Sequence, residues 1–541
     1  MKFKALRALL LLCGLWPVQA AADNRFIVRS PLSLAALKQV CNPLPLLPPI
    51  CNVVGELGDP REQLSLITSP LNLTTLVNLP GNPLRIVDAE VDGLLSVIGG
   101  LNRVTTLPAA LSDSAQVTYY NSTVWNGYAN QPATQIVRVS AAQSQFQVSG
   151  SGIVADIDTG IDPNHPVFAG ILLQGYDFTR NQQGASELKD LSPTDFPSAP
   201  APCPPSTCPP AIVNQSSAAV LDQSSAAILD TNPKYAAFGH GTMVMGVIHL
   251  VAPTARLLPL KAFKSDGTGF LSDILRAIYY GVQSNADVIN MSFDTKTNSL
   301  ELSKALDYAN QRGVICAASA GNDGQKEMVY PAALQKDVMG VASTSDQDQR
   351  SYSSNFGDAI VWVDAPGDAI VTSYPFSTYA AGWGTSFSTP FVSGAAALLQ
   401  NLQGSTNESQ AAAAVAHAVP VGPDMGNGRL DLVQALSAEG VTSDFSISVS
   451  PSSASIRRGG RGKYAVTVTA LRGFPGTVSL SVTGLPHPTS GAFNPPSITG
   501  SGTSVLTLRV GQNARPATYK LTFSGRSGSL VHSAYAILKI R

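Results

Sequence analysis

From Ile153 to about Leu436 the chain alternates short apolar runs with longer amphipathic ones. Strands that alternate with helices build a parallel sheet covered by helices, because parallel neighbours can be joined only by a crossover. The pattern therefore predicts an α/β domain over this segment. A hydrophobic fraction of 44% supplies the core, and a charged fraction of only 13% leaves the surface to Ser, Thr, Asn and Gln. A disordered chain shows the opposite balance.

In a parallel sheet, functional groups gather at the carboxyl ends of the strands. Three Gly-flanked motifs fall at such junctions. Ile153-Val154-Ala155-Asp156-Ile157-Asp158-Thr159-Gly160 runs an apolar strand into an Asp and a Gly turn. Gly239-His240-Gly241-Thr242 sets a His at the start of an apolar helix. Gly384-Thr385-Ser386-Phe387-Ser388-Thr389-Pro390 leads into the helical run Phe391 to Leu399, with Pro390 expected in the first turn. Ser386 then sits at a helix N-terminus, where the dipole favours developing negative charge. A serine hydroxyl needs a base to take its proton and a third group to orient that base. Ser386, His240 and Asp158 supply those types. The apolar run Val314 to Ala320 ends in Gly321-Asn322, and the Asn322 amide is a candidate donor to an oxyanion.

On these motifs, residues 118–436 resemble the subtilisin-like (subtilase) catalytic domain, and Gly426-Asn427-Gly428-Arg429-Leu430-Asp431 resembles its closing segment. The resemblance implies a serine endopeptidase with Asp158, His240 and Ser386 as triad and Asn322 as oxyanion donor. Its substrates would be proteins or peptides, and no cofactor is required for the chemistry. A structural calcium is compatible with the family, but its ligands lie in variable loops and no residue is assigned; no metal cluster stands out. A sedolisin-type enzyme shares the serine motif but uses Glu as base, and His240-Gly241-Thr242 disfavours it. A non-catalytic binding protein on the same scaffold is disfavoured by the complete set of four residues.

The resemblance also marks a substrate cleft. Gly267 and Gly269 match the strand that pairs with extended substrate. Ser292 and Phe293 match the border of the specificity pocket, and Val329 its floor. Val329 replaces a common Gly and would favour small or medium side chains, whereas Asp294 at the rim would attract a basic one. Asp156, two before Asp158, replaces a usual apolar residue. Strand alternation puts it on the face of Asp158, with Ile157 opposite. A second carboxylate there either raises the His240 pKa or faces a polar pocket.

The flanks read differently. Lys2, Lys4 and Arg7, the apolar run Leu9 to Trp16 and Ala20 to Ala22 form a secretory signal over 1–22, so an extracellular location is expected. No later stretch is apolar enough for a membrane span, and nothing points to specific nucleic-acid binding. Residues 23–95 read strand, helix, strand, strand, helix, strand, with the last strand at Leu84–Glu90. This small α+β, ferredoxin-like unit resembles the family's inhibitory propeptide, so the chain's own N-terminal unit is an expected partner. Residues 96–117 read as linker and maturation region, and 118–440 as the catalytic domain with an insertion at 180–237. That insertion holds a proline cluster and a tandem octapeptide, 215–222 and 223–230, expected as two paired short strands. Residues 441–541 carry eleven Lys or Arg against one acid, with alternating runs at Phe445–Val449, Lys463–Thr469, Thr477–Val482, Ser504–Val510, Thr518–Phe523 and Ser533–Ile540. They predict an all-β sandwich, loosely immunoglobulin-like, whose basic surface is a candidate for anionic surfaces. Cys41 and Cys51, and Cys203 and Cys208, are candidate local disulfides, and Cys316 a buried free thiol.

Overall fold

The computed structural model describes residues 24–42, 49–98, 108–193, 210–213, 219–222, 233–438, 444–471, 474, 476–528 and 530–541. The signal-like segment, the Cys203–Cys208 pair and the second octapeptide copy lie outside the described residues.

The central sheet has eight strands among the described residues. Its order is Gln182–Gln183, Tyr176–Asp177, Arg256–Lys261, Ile153–Asp158, Val288–Met291, Ile315–Ser319, Met339–Thr344 and Val363–Pro366. All neighbours are parallel except the first pair. Helices His240–Val251 and Thr385–Gln403 pack on one face, against Val154, Leu257, Val288 and Ile315. The first of these is buried all round, which is why it reads as uniformly apolar. Helices Leu271–Gln283 and Leu300–Gln311 cover the other face, against Ala155, Ile157, Ile289 and Cys316. Leu271, Ile274, Leu275, Ile278 and Val282 give the first of this pair its buried stripe.

The N-terminal unit is a four-stranded antiparallel sheet ordered Asn52–Glu56, Leu64–Ser69, Asn24–Arg29, Asp88–Val91. Helices Leu34–Cys41 and Leu73–Val77 cover one face, and a Cys41–Cys51 disulfide ties the end of the first helix to the residue just before the strand Asn52–Glu56. Ile27, Leu57, Leu64 and Leu66 on the other face join the core beneath Leu271–Gln283 and Leu300–Gln311. The last strand begins at Asp88, not Leu84, because Asn82 and Arg85 take positive φ and turn the chain first. Residues 94–96, across the expected boundary between the N-terminal unit and the linker, form a strand paired with Thr268–Phe270. Three residues completing another unit's edge carry no periodicity of their own to reveal them.

Of the first octapeptide, only 219–222 lie among the described residues, so the expected pairing of the two copies lies outside them. Its Ala219–Asp222 strand pairs with Pro210–Val213 and adds to Thr378–Gly382. The C-terminal residues form two sheets of four and five strands. Tyr464, Val466 and Leu506 from one sheet and Leu521, Phe523 and Leu538 from the other share one core. Three short strands, Ser453–Ile456, Ser490–Asn494 and Ser497–Thr499, escape the sequence pattern because Ser, Gly and Pro dominate them and their surroundings.

Asp364, in the last strand of the central sheet, is fully buried with neither carboxylate oxygen hydrogen-bonded. Burial pushes its pKa up to about 8. Between its ordinary range and pH 8 the folded chain holds a proton that the unfolded chain has lost. Stability therefore falls as pH rises through that window, and the cost is complete above it. Asp364→Val should stabilise the protein by a few kcal/mol at pH 9, on the order of 1.4 kcal/mol per pKa unit, and by much less at pH 5. Thermal melts of inactive protein at both pH values test this; an equal gain at both contradicts it.

Candidate active site

Asp158 ends the strand Ile153–Asp158, and its backbone carbonyl accepts from Ala262 and Phe263 on the neighbouring chain segment. His240 begins the helix that crosses above it. The structure brings the two together: His240 Nδ1 lies 2.8 and 2.9 Å from the Asp158 carboxylate oxygens. Both side chains are fully buried. The close approach depends on glycine, because a Cβ at Gly241 would lie 2.1 Å from the Gly160 carbonyl oxygen. With Nδ1 committed to Asp158, the other ring nitrogen, Nε2, is buried without a hydrogen-bond partner.

Ser386 is the second residue of the helix Thr385–Gln403. Its neighbour Phe387 lies 5.9 Å from the His240 ring, centroid to centroid. Ser386 Oγ donates to the Ser292 carbonyl at 3.3 Å, so the hydroxyl is not on His240. Asn322 Oδ1 accepts from the Thr385 N–H at 2.8 Å and from its hydroxyl at 3.1 Å. That anchorage leaves Nδ2 as the donating end of the amide. Pro390 is not in the first turn, as its motif implied, but inside the helix, which starts at Thr385 rather than near Phe391.

Two carboxyl groups stand close behind this pair. Asp156 is buried on the strand of Asp158, and its Oδ1 accepts from Asn290 Nδ2 at 2.8 Å. Burial first, and Asp158 second, hold its pKa well above the usual carboxylate range. Glu187 lies within the segment read as an insertion, yet it ties the motifs together. It accepts from Thr159 Oγ at 3.2 Å, from the Gly239 N–H at 2.8 Å and from the Thr242 hydroxyl. Burial pushes its pKa up to about 8. Lys261 Nζ, fully buried, donates to the Thr159 and Phe263 carbonyls and to Asp190 at 2.6, 2.7 and 2.8 Å. Sequence reasoning missed Glu187 and Lys261, since neither lies in a Gly-flanked motif. A lone Lys in the apolar run Leu257 to Phe263 was the one available signal.

The residues expected to line a cleft fall in two groups. Gly267, Gly269 and Phe293 lie along the chain's own segment 94–98, and Ser292, next to Phe293, carries the carbonyl that accepts from Ser386 Oγ. That segment pairs antiparallel with Thr268–Phe270, Val97 N–H donates to the Gly267 carbonyl at 3.0 Å, and Ser96 bridges to Asp294 on its other side. Leu95 and Val97 are buried in a cluster that includes Phe263 and Phe293. A Cβ at Gly267 would come within 2.7 Å of Ile98, whereas at Gly269 it would strike the Ala262 carbonyl, so only the first glycine yields space to the segment. Val329 stands apart, fully buried among Ala320, Ala342 and Ile360. Asp294 is half-buried, and its pKa is pushed up to about 7 by burial and Asp323. Among the described residues no three His, Cys, Asp or Glu side chains gather as metal ligands, and no helix is long and apolar enough to cross a membrane.

Residues 150–443 match the model of the Subtilase family, more than half of the chain. Thermitase from Thermoactinomyces vulgaris is 30% identical over 276 residues, covering 51% of this chain and 84% of that protein. A thermophilic serine proteinase from Bacillus sp. (strain AK1) is 32% identical over 299 residues, covering 53% of this chain and 61% of that protein. Subtilisin BL from Lederbergia lenta is 36% identical over 171 residues, 30% of this chain and 63% of that protein. The match thus spans less than two thirds of the last two relatives. A cold adapted subtilisin-like serine proteinase of known structure aligns over 53% of this chain and 90% of its own, with 26% identity and a TM-score of 0.41.

Proposed function

Since this chain belongs to the subtilase family, we propose that it is a secreted serine endopeptidase, made as a zymogen and acting through Ser386, His240 and Asp158. The observation that carries the mechanism is the buried His240–Asp158 pair, which leaves His240 Nε2 free to receive a proton. The Ser386 hydroxyl turns from the Ser292 carbonyl to Nε2 and attacks the substrate carbonyl carbon as its proton passes to His240. Asp158 holds the ring in the required tautomer and stabilises the imidazolium. Asn322 Nδ2 and the amide end of the helix Thr385–Gln403 offer hydrogen bonds to the oxyanion. The tetrahedral adduct collapses, His240 returns the proton to the leaving amine, and an acyl-enzyme remains. Water, deprotonated by His240, releases the acid. Side chains and main chain supply every group, so the chemistry calls for no cofactor.

The N-terminal unit is, in this reading, a removable inhibitor. Its docking is supported by ion pairs: Arg29 with Glu301, and Lys304 with Asp88 at 3.0 Å. Asp92 accepts from the Ser272 N–H at 2.8 Å, at the start of the helix Leu271–Gln283. A carboxylate there is favoured by the helix dipole. Segment 94–98 then occupies the cleft as extended substrate. The Ser96–Asp294 bridge is antiparallel, so one further step of the ladder sets Ile98 opposite Ser292, whose carbonyl now receives Ser386 Oγ. At present the Ile98 N–H turns back to Ser96 Oγ, and that small turn must open first. Self-cleavage on the carboxyl side of Ile98 follows. The basic C-terminal sandwich is assigned to attachment at an anionic surface.

N-terminal sequencing of secreted wild type and of Ser386→Ala tests both parts. The wild type should begin at Gly99, and Ser386→Ala should retain the N-terminal unit. Active enzyme that still carries residues 24–98 contradicts the zymogen reading. Identical processing of both proteins contradicts self-cleavage.

A further inference from the structure

Pro390 has no N–H, so the Ser386 carbonyl, four residues earlier in the same helix, lacks its helical donor. Ser292 Oγ donates to that carbonyl instead, at 3.0 Å. The hydroxyl is itself held from behind. Asn290 Nδ2 donates to Ser292 Oγ at 3.0 Å and to Asp156 Oδ1 at 2.8 Å. Ser393, further along the helix of Ser386, donates to Asn290 Oδ1 at 2.8 Å. Asp156 and Asn290 are register partners on adjacent parallel strands, and Asp156, Asn290, Ser292 and Ser393 are all buried. The amide orientation is therefore fixed at three points, with Ser393 on its oxygen and Asp156 and Ser292 on its nitrogen.

We propose that Asp156 is a positioning residue for the nucleophile: it fixes the Asn290 amide, which fixes the Ser292 hydroxyl on the Ser386 carbonyl. It touches no reacting atom. The inference rests on Ser386 being the nucleophile, as proposed above. The required property of Asp156 is a hydrogen-bond acceptor at Oδ1, which a neutral carboxyl or a carboxamide supplies equally. Its ionisable neighbours are Asp158 on the same strand and Glu187, and both disfavour a charge on Asp156. The contact with Asn290 at 2.8 Å is the same in either protonation state, so the role assigned to Asp156 is that of an acceptor.

The test compares wild type, Asp156→Asn, Asp156→Leu, Ser292→Ala and the double variant Asp156→Leu/Ser292→Ala, each scored for kcat and KM on a peptide anilide. Asp156→Asn should keep wild-type kcat. Asp156→Leu and Ser292→Ala should each lower kcat about tenfold with KM unchanged, the size of one net hydrogen bond. The double variant should match Ser292→Ala alone, because the carboxyl acts through that hydroxyl. Wild-type kcat in Asp156→Leu, an equal loss in Asp156→Asn, or losses that multiply in the double variant would each overturn the proposal. If Asp156→Leu yields no folded protein, Asp156→Ser, whose side chain is too short to reach the Asn290 amide, takes its place with the same outcomes. Wild-type turnover in the same assay is a separate check: without it the peptidase reading fails, and this inference with it.

Discussion

Ser386→Ala should give a folded, full-length protein with kcat lowered by a factor of about 10⁶, a magnitude measured in subtilisin, a member of the same family, rather than obtained from this structure. Folding should survive because Ser386 Oγ makes only a 3.3 Å bond to the Ser292 carbonyl, which an alanine gives up at small cost. Activity should not survive, because the other hydroxyls in the first turn of that helix are placed elsewhere; Ser388 Oγ lies against Gly367 beside Ser343 Oγ. Thr385 precedes Ser386, but its hydroxyl is engaged with Asn322 Oδ1. His240→Gln should lose activity to a comparable degree, since an amide cannot take the proton. The purified variants, assayed on a peptide anilide after their melting temperatures are matched to wild type, provide the check. Residual activity above a thousandth of wild type in Ser386→Ala would remove Ser386 from the central role.

Asn322→Ala should lower kcat by about 10²–10³ and leave KM nearly unchanged, again a range measured in subtilisin. Thr385 holds Oδ1 with two hydrogen bonds, so the amide cannot flip, and Nδ2 stays the donor. A donor matched to an oxyanion acts in the transition state and little in the ground state, hence the split between kcat and KM. Asn322→Asp should be at least as poor, because its oxygen would face a developing negative charge. A loss carried mainly by KM would assign Asn322 to ground-state binding instead.

Legibility in the sequence followed the chemistry of each element. The long parallel strands and the helices between them announce themselves by apolar runs and Gly turns. So do Asp158, His240, Ser386 and Asn322, because each sits where a strand or helix ends and the backbone must turn. Glu187 gave no such sign. It reaches the site from a single 3-10 turn, Glu187–Asp190, and its hydrogen bonds to Thr159, Gly239 and Thr242 exist only after folding. Leu94–Ser96 is a strand because Thr268–Phe270 offers it an edge, so no local pattern could expose it. Pro390 misled in an informative way. Proline usually marks a first turn, but here Ser292 satisfies the carbonyl that proline leaves unpaired, so the helix continues through it. Val329 is fully buried in a cluster with Ala320, Ala342 and Ile360, a neighbourhood that the sequence around it does not announce.

The most direct test of the central claim is to treat the secreted, processed protein with a fluorophosphonate probe and map the adduct by peptide mass spectrometry. The account predicts a single stoichiometric adduct on Ser386, abolished by prior denaturation and by His240→Gln. No labelling of protein that has shed residues 24–98, or labelling at a different serine, would contradict it.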